Sequence, residues 1–415
     1  MSFAPLGLEP ALLKVLSELD YQDPTPIQAA AIPPALAGRD LLGQAATGAG
    51  KTLAFGLPLL QRALQAGGEG RRLRALVLAP TRELAAQIAE ALRDIARLLP
   101  GKLKISVAFG GVSINPQLMG LRGGCDVLVA TPGRLLDLVE HNALRFDALQ
   151  LLVLDEADRL LDMGFADELQ RILALLPARR QNLFFSATFP PAVQALADGL
   201  LREPLRVEAP AEAPPDILQR AIQVDEAKRT PLLRHLLASE GWSRLLVFVA
   251  TQYATELVSD KLWKAGIKAA ALHGELSQGT RREVLAALKA GTVQVLVATD
   301  VAARGLDIPE LPAVLNYDLP RSPADYTHRI GRTGRAGASG VALSFVPAAA
   351  EAHFRLIEKR CGARVPREQI AGFEPKDVAP AEPGAGGIKS KTRKSKKDKL
   401  REAAVAAAAG KPPSA

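Results

Sequence analysis

Short apolar runs alternate with longer segments of helical periodicity along most of the chain. In the first half the runs are Ala75-Leu76-Val77-Leu78, Ile105-Ser106-Val107-Ala108, Val127-Leu128-Val129, Leu151-Leu152-Val153-Leu154 and Leu183-Phe184-Phe185. Helix-like segments near residues 51–65, 82–98, 134–140 and 166–176 lie between them. Strands apolar at nearly every position need cover on both faces, and intervening helices supply it, so the pattern predicts a parallel sheet. It stops at Ala209-Pro210-Ala211-Glu212-Ala213-Pro214-Pro215, a stretch expected to lie in a linker over 209–218. It restarts with Leu245-Leu246-Val247-Phe248-Val249, Ala270-Ala271-Leu272, Val295-Leu296-Val297, Val314-Leu315 and Ala342-Leu343-Ser344-Phe345, then fades after about Pro366. The expected fold is α/β, with tandem parallel-sheet domains at 1–208 and 219–366 and a disordered basic tail over 367–415.

Composition narrows the setting. The chain has 415 residues, 48% hydrophobic and 23% charged, ordinary for a soluble globular protein. It has no apolar stretch of the roughly 18–20 residues a bilayer span needs, and Met1-Ser2-Phe3-Ala4-Pro5 lacks signal-peptide character. Two cysteines, Cys125 and Cys361, cannot build a disulfide framework or a cysteine zinc cluster, so a reducing, cytoplasmic home is expected. The net charge of +8 sits in the tail: residues 389–401 carry eight Lys/Arg against Asp398, which leaves residues 1–388 at +1. A nucleic-acid site in the body must therefore be local, because a uniformly basic surface is excluded.

The polar clusters with chemical potential fall at the C-terminal ends of the predicted strands, the edge where open parallel sheets bind ligands. Ala45-Ala46-Thr47-Gly48-Ala49-Gly50-Lys51-Thr52 opens a helix after Asp40-Leu41-Leu42. Small residues there let backbone N–H groups curl around phosphates, with Lys51 reaching the β/γ-phosphates and Thr52 on Mg²⁺. A glycine-rich helix cap is the lesser reading of this loop, and Ala45 stands where the strict pattern has Gly. Asp155-Glu156-Ala157-Asp158 follows Leu151–Leu154. Acids so placed can hold Mg²⁺ through water and orient or deprotonate an attacking water.

With the remaining clusters, the chain resembles the DEAD-box family of RNA-dependent ATPases and helicases over about residues 3–346. The resemblance implies two RecA-like domains, ATP with Mg²⁺, and RNA as partner. Pro24-Thr25-Pro26-Ile27-Gln28 resembles the adenine-recognition motif, with Phe3 as the aromatic that stacks on the base. Gln28 suits adenine physically, since its amide has one donor and one acceptor face. Tyr21 replaces the usual Phe, and Asp20 stands where Gly is usual. Pro80, Thr81 and Arg82, Gly110-Gly111, and Thr131 with Arg134 match backbone-binding positions, as do His273, Gly274, Gln278, Arg281 and Thr299 in the second half. Such groups hold phosphates and sugars without reading bases, so little sequence preference is expected. Ser186-Ala187-Thr188 resembles the coupling motif. Gly305 and Asp307 match nucleotide and ribose contacts, and Arg332 and Arg335 match arginine fingers. Arg329 is expected to pair with the Asp155–Asp158 cluster, with His328 bridging motifs. Trp242 and Trp263 are expected to be packing residues.

Met163-Gly164-Phe165 and the short basic tail look like bacterial RhlE-type members. Ribosome precursors or RNA-decay complexes are the expected settings, with the chain acting as a monomer away from membranes. Two other readings stay open at this point: a DNA helicase of the same superfamily, and an ATP-gated RNA clamp that barely unwinds.

Overall fold

The structure is a computed structural model and describes residues 2–45, 48–65, 70–208, 216–303, 311–334 and 339–376. The first sheet comprises β1 (Leu41–Gln44), β2 (Ala75–Leu78), β3 (Ile105–Ala108), β4 (Val127–Ala130), β5 (Leu151–Leu154), β6 (Gln181–Ser186) and β7 (Leu205–Glu208). Its strand order is β3-β4-β2-β5-β6-β1-β7, with every pairing parallel. The second comprises β8 (Ile217–Gln223), β9 (Leu245–Phe248), β10 (Ala269–Leu272), β11 (Val295–Ala298), β12 (Ala313–Asn316), β13 (Gly340–Val346) and β14 (Arg367–Glu368). Its order, β10-β11-β9-β12-β13-β8-β14, is again all parallel.

Side chains alternate across a strand, so each apolar run feeds two cores. In β2, Ala75 and Val77 join one cluster with the helices Pro26–Leu36, Lys51–Gln65 and Arg82–Leu98. Leu76 and Leu78 point the other way, into a cluster with Pro132–Glu140, Ala166–Leu175 and Pro191–Leu200. The second sheet repeats this: Leu245 and Val247 face one core, Leu246 and Phe248 the other. Among the described residues no helix is long and apolar enough to cross a membrane.

Four expectations are corrected. The expected linker ran to 218, but Ile217 and Leu218 already belong to β8. The expected tail began at 367, yet Arg367 and Glu368 form β14 against β8, and Arg220 binds Glu368 at 2.8 Å. Phe373 then packs on the core that Leu245 and Val247 face, and the Lys376 backbone N–H donates to Asp225 at 3.0 Å. These segments escaped the pattern because β8 and β14 have mixed polar sequences, and the burial of Ala221 and Ile222 comes from the strands and helices that pack on them. Trp242 is buried as expected, but Trp263 is 63% exposed on the helix Gln252–Lys264. Phe3, expected to stack on a base, is 4% exposed within the core that Ala75 and Val77 join, which leaves its ring almost no open face.

Candidate functional site

Because all strands are parallel, every strand-end motif lies on one edge of its sheet. The loop after β1 leads into the helix that starts at Lys51. Lys51 is buried, and its Nζ donates to the Ala45 carbonyl at 3.1 Å. Gly50 has φ +90°, and a Cβ there would lie 2.5 Å from Gln28 Nε2 and 2.8 Å from Thr25 Oγ1, so only glycine fits. Gln28 closes that approach. Its Nε2 donates to the Gly50 carbonyl at 3.0 Å, its Oε1 accepts the Thr25 N–H at 3.0 Å, and Thr25 Oγ1 donates to the Ala49 carbonyl at 2.8 Å. An amide has two donors and two acceptor lone pairs, so one of each remains for a base. Tyr21, at 41% exposed, presents more surface than Phe3. Gly48 is exposed, and Ala49 and Thr52 are half-buried beside Lys51. Ala46 and Thr47, like Gly305, Asp307 and Arg335, lie outside the described residues.

After β5, Asp155 is 2% exposed. Burial pushes its carboxyl up to about 6; the Glu156 charge adds to this, while Lys51, the Glu156 N–H and Arg159 pull the other way. Glu156 sits at φ +51°, a left-handed conformation that non-glycine residues rarely adopt. Its Oε2 accepts from Arg159 Nη1 at 2.7 Å, both side chains being nearly fully buried. Asp158 ties the acidic cluster to β6: Thr188 N–H and Oγ1 donate to its carboxylate at 3.1 and 2.8 Å, and Ser186 Oγ accepts its N–H at 3.2 Å.

The other residues expected at a backbone-binding surface divide between the two domains. On the first, Thr81 caps its helix by accepting the Leu84 N–H at 3.2 Å. Pro80 and Thr131 are buried. Arg82 leans over Gly111, its Nη1 3.5 Å from that carbonyl. Arg134 donates to Val112 O at 2.8 Å and Asp137 Oδ2 at 3.1 Å. On the second, His273 Nε2 meets Glu256 Oε1 at 2.7 Å, while Gly274 and Thr299 are half-buried. Arg281 Nη1 is 3.5 Å from the His273 carbonyl. The two groups meet: Arg281 Nη2 lies 2.8 Å from Glu83 Oε1 across the domains, and both are buried.

Arg329 requires a correction. It does not reach the Asp155–Asp158 cluster but binds Asp300 through Nε and Nη2 at 2.6 and 2.7 Å. Nη1 donates to Asn316 Oδ1 and the Asp318 carbonyl, and the guanidinium lies over Phe248. The acid at the end of β11 in its own domain is simply nearer. His328 is half-buried and Arg332 is 5% exposed. Sequence reasoning missed Arg159, Glu83, Asp300 and Glu256 as partners. Only the i,i+3 spacing of Glu156 and Arg159 could have flagged a pair.

Five buried side-chain polar atoms among the described residues have no hydrogen-bond partner: Glu83 Oε1, Arg134 Nη1, His273 Nδ1, Gln278 Oε1 and Arg281 Nε. Glu83 Oε1 is near Arg281 but not aligned as an acceptor. Each such atom costs about 1–3 kcal/mol unless something else meets it.

Residues 25–196 match the DEAD/DEAH box helicase model, and residues 228–337 match the helicase conserved C-terminal domain. The ATP-dependent RNA helicase DbpA of Escherichia coli is 47% identical over 339 residues, covering 81% of this chain and 73% of that protein. This chain belongs to the DEAD-box family. The DEAD-box helicase CshA of Bacillus cereus is 40% identical, covering 88% of this chain and 69% of its own. DeaD of Mycobacterium tuberculosis is 43% identical over 90% of this chain, which spans 66% of that relative's length. Yeast Dbp5 bound to RNA and ADP BeF3 superposes with TM-score 0.76 at 33% identity, covering 89% of this chain and 95% of the other. Mss116p bound to ssRNA and AMP-PNP gives 0.79 at 27%, covering 89% and 80%. The RecA-like pairing of this DEAD-box chain is thus shared with RNA- and nucleotide-bound relatives.

Proposed function

We propose that this DEAD-box chain is an ATP-dependent RNA helicase that grips RNA backbone across its two domains and couples ATP hydrolysis to local unwinding. The carrying observation is four buried polar atoms with no protein partner, Arg134 Nη1 on the first domain and His273 Nδ1, Gln278 Oε1 and Arg281 Nε on the second, all on residues of the backbone-binding motifs. Buried donors and acceptors aimed at no protein group fit a polar ligand, and a phosphodiester with its 2′-hydroxyl offers both acceptors and a donor.

In this reading Gln28 selects adenine, the 45–52 loop and Lys51 hold the phosphates, and Gly305 and Asp307 meet the ribose. Thr52 would hold Mg²⁺ directly and Asp155 would hold it through water. The donor set fits: Asp155 offers a buried carboxyl within reach of the Lys51 charge, and Thr52 offers a hydroxyl in the first turn of the helix that Lys51 starts. Mg²⁺ characteristically takes one or two carboxylates and completes its shell with water and phosphate oxygens. When bound it offsets the charge on the phosphates. Glu156 accepts a proton from the attacking water, and Arg332 and Arg335 stabilise charge on the transferred group from the second domain. Asp158, Ser186, Thr188, His328 and Arg329 keep the strand ends in register, so RNA bridging both domains favours the closed, hydrolytic arrangement.

The test is strand displacement on a short RNA duplex with ATP or GTP, beside ATP hydrolysis with and without RNA. Unwinding with ATP but not GTP, and weakened ATP use in Gln28→Ala, are expected. RNA-stimulated hydrolysis without displacement would assign a clamp instead, and stimulation by DNA alone would refute the RNA reading.

A further inference from the structure

The charge of the body is unevenly placed. All strands of the first sheet are parallel, so the loops that enter them share the edge opposite the ATP and RNA motifs. Every strand is entered past a basic residue: Arg39 for β1, Arg72 for β2, Lys102 for β3, Arg122 for β4, Arg145 for β5, Arg179 for β6 and Arg202 for β7. All seven are exposed. Residues 37–40, 71–74, 99–104, 122–126, 141–150, 176–180 and 201–204 together hold eleven Arg/Lys against four Asp/Glu, a net +7. The whole of 1–388 is only +1, so the remainder of the body is acidic and this edge stands apart.

Two ordinary explanations fall short. Cations favour helix C-termini, but that effect fades beyond the last turn. The helices Pro26–Leu36, Asn115–Leu121, Pro132–Glu140, Ala166–Leu175 and Pro191–Leu200 have no basic residue in their last turns; the cations come after them. Internal pairing is also thin. Arg39, Lys104, Arg180 and Arg202 donate to backbone carbonyls, which satisfies their hydrogen bonds without cancelling their charge. Asp40 accepts from Asn182 and from the Arg202 N–H, and Asp126 accepts the Lys104 N–H. The carboxylate contacts of Arg71 and Arg72 are long, 3.7 and 3.6 Å.

We propose that this edge of the first domain is a second RNA-docking surface, which holds the phosphate backbone of RNA extending beyond the strand in the interdomain cleft. Seven strands at a spacing of about 4.8 Å make a row roughly 29 Å long, enough to follow several nucleotides. No large aromatic is exposed along these lead-in segments, so the contact is to phosphate and carries no base preference.

The test uses the full chain with Arg72, Arg122, Arg145 and Arg179 all changed to Gln. Arg39, Lys104, Arg180 and Arg202 stay, because they hold backbone carbonyls. Two probes separate the surfaces: a single strand of about ten nucleotides with ADP–BeF₃, which fills only the cleft, and a duplex of about 40 base pairs with a single-stranded extension. Affinity for the short strand and maximal ATP turnover at saturating RNA should stay within about twofold, while affinity for the long RNA at low salt falls tenfold or more. The salt slope on the long RNA should flatten by up to about 3, the share of four phosphate contacts. The basic tail contributes equally to both proteins. Lys at all four positions should restore long-RNA binding. Unchanged affinity and slope on the long RNA would overturn the proposal, as would an equal loss on both probes. Loss of binding to a polyglutamate peptide with RNA binding intact would assign the edge to an acidic protein partner and equally overturn it. Failure of the wild type on the short strand would instead count against the cleft.

Discussion

Replacing Asp155 with Asn should stabilise the nucleotide-free protein at neutral pH while abolishing hydrolysis. Asp155 is 2% exposed, and its carboxyl is pushed up to about 6 from an ordinary 3.8, mainly by burial. Below 3.8 the group is protonated folded and unfolded alike, and it costs nothing. As the pH rises toward 6, only the folded state still holds the proton; above 6 the ionised carboxylate must be kept buried. Folding stability from this group is therefore full at low pH and lost as the pH passes 6, by about 3 kcal/mol for a shift of about two units. Asn does not titrate. The advantage of Asp155→Asn over wild type should grow by about 2.4 kcal/mol between pH 4 and 7.5, or about 5–10 °C in Tm for a domain of this size. Urea unfolding without nucleotide or divalent ions, repeated across that range, measures it. A difference that does not change with pH, or a variant less stable than wild type at pH 7.5, would refute the reasoning. Adding Mg²⁺ and ATP should stabilise the wild type more than the variant, because only a carboxylate draws on the cation.

Other outcomes follow from the same geometry. Glu156→Gln keeps an acceptor for Arg159 but cannot take a proton, so hydrolysis should be lost with ATP-dependent RNA binding retained; near-normal turnover would place water activation elsewhere. Arg332→Ala and Arg335→Ala should each lower maximal turnover by roughly 10³-fold or more with little change in ATP affinity. A rise in ATP KM at normal maximal rate would contradict that role. For Glu83 and Arg281, a double-mutant cycle to Gln, read as RNA affinity with ADP–BeF₃, should show coupling of about 0.5–3 kcal/mol. Additive losses would mean that the 2.8 Å contact does not help close the cleft.

Much of this protein was legible in one dimension. Runs such as Leu151–Leu154 are apolar at every position, which only a strand covered on both faces tolerates, and parallel connection then puts every strand-end motif on one edge. The order of those motifs carried the family resemblance and, with it, the proposal for the site. Side-chain partners were not legible, because pairing depends on distances between segments far apart in the chain. Arg329 was expected beside Asp155 and is held by Asp300; Glu83 meets Arg281 from almost two hundred residues away. Phe3 and Trp263 were misjudged for the same reason, since whether an aromatic is covered depends on what folds over it. β8 and β14 have too little apolar alternation to announce themselves; pairing with their neighbours, the packing of Ala221 and Ile222 against helices, and the Arg220–Glu368 pair hold them as strands. The basic edge was present in the sequence as scattered arginines. The tertiary structure alone lines them up, because a parallel sheet delivers every strand start to the same side.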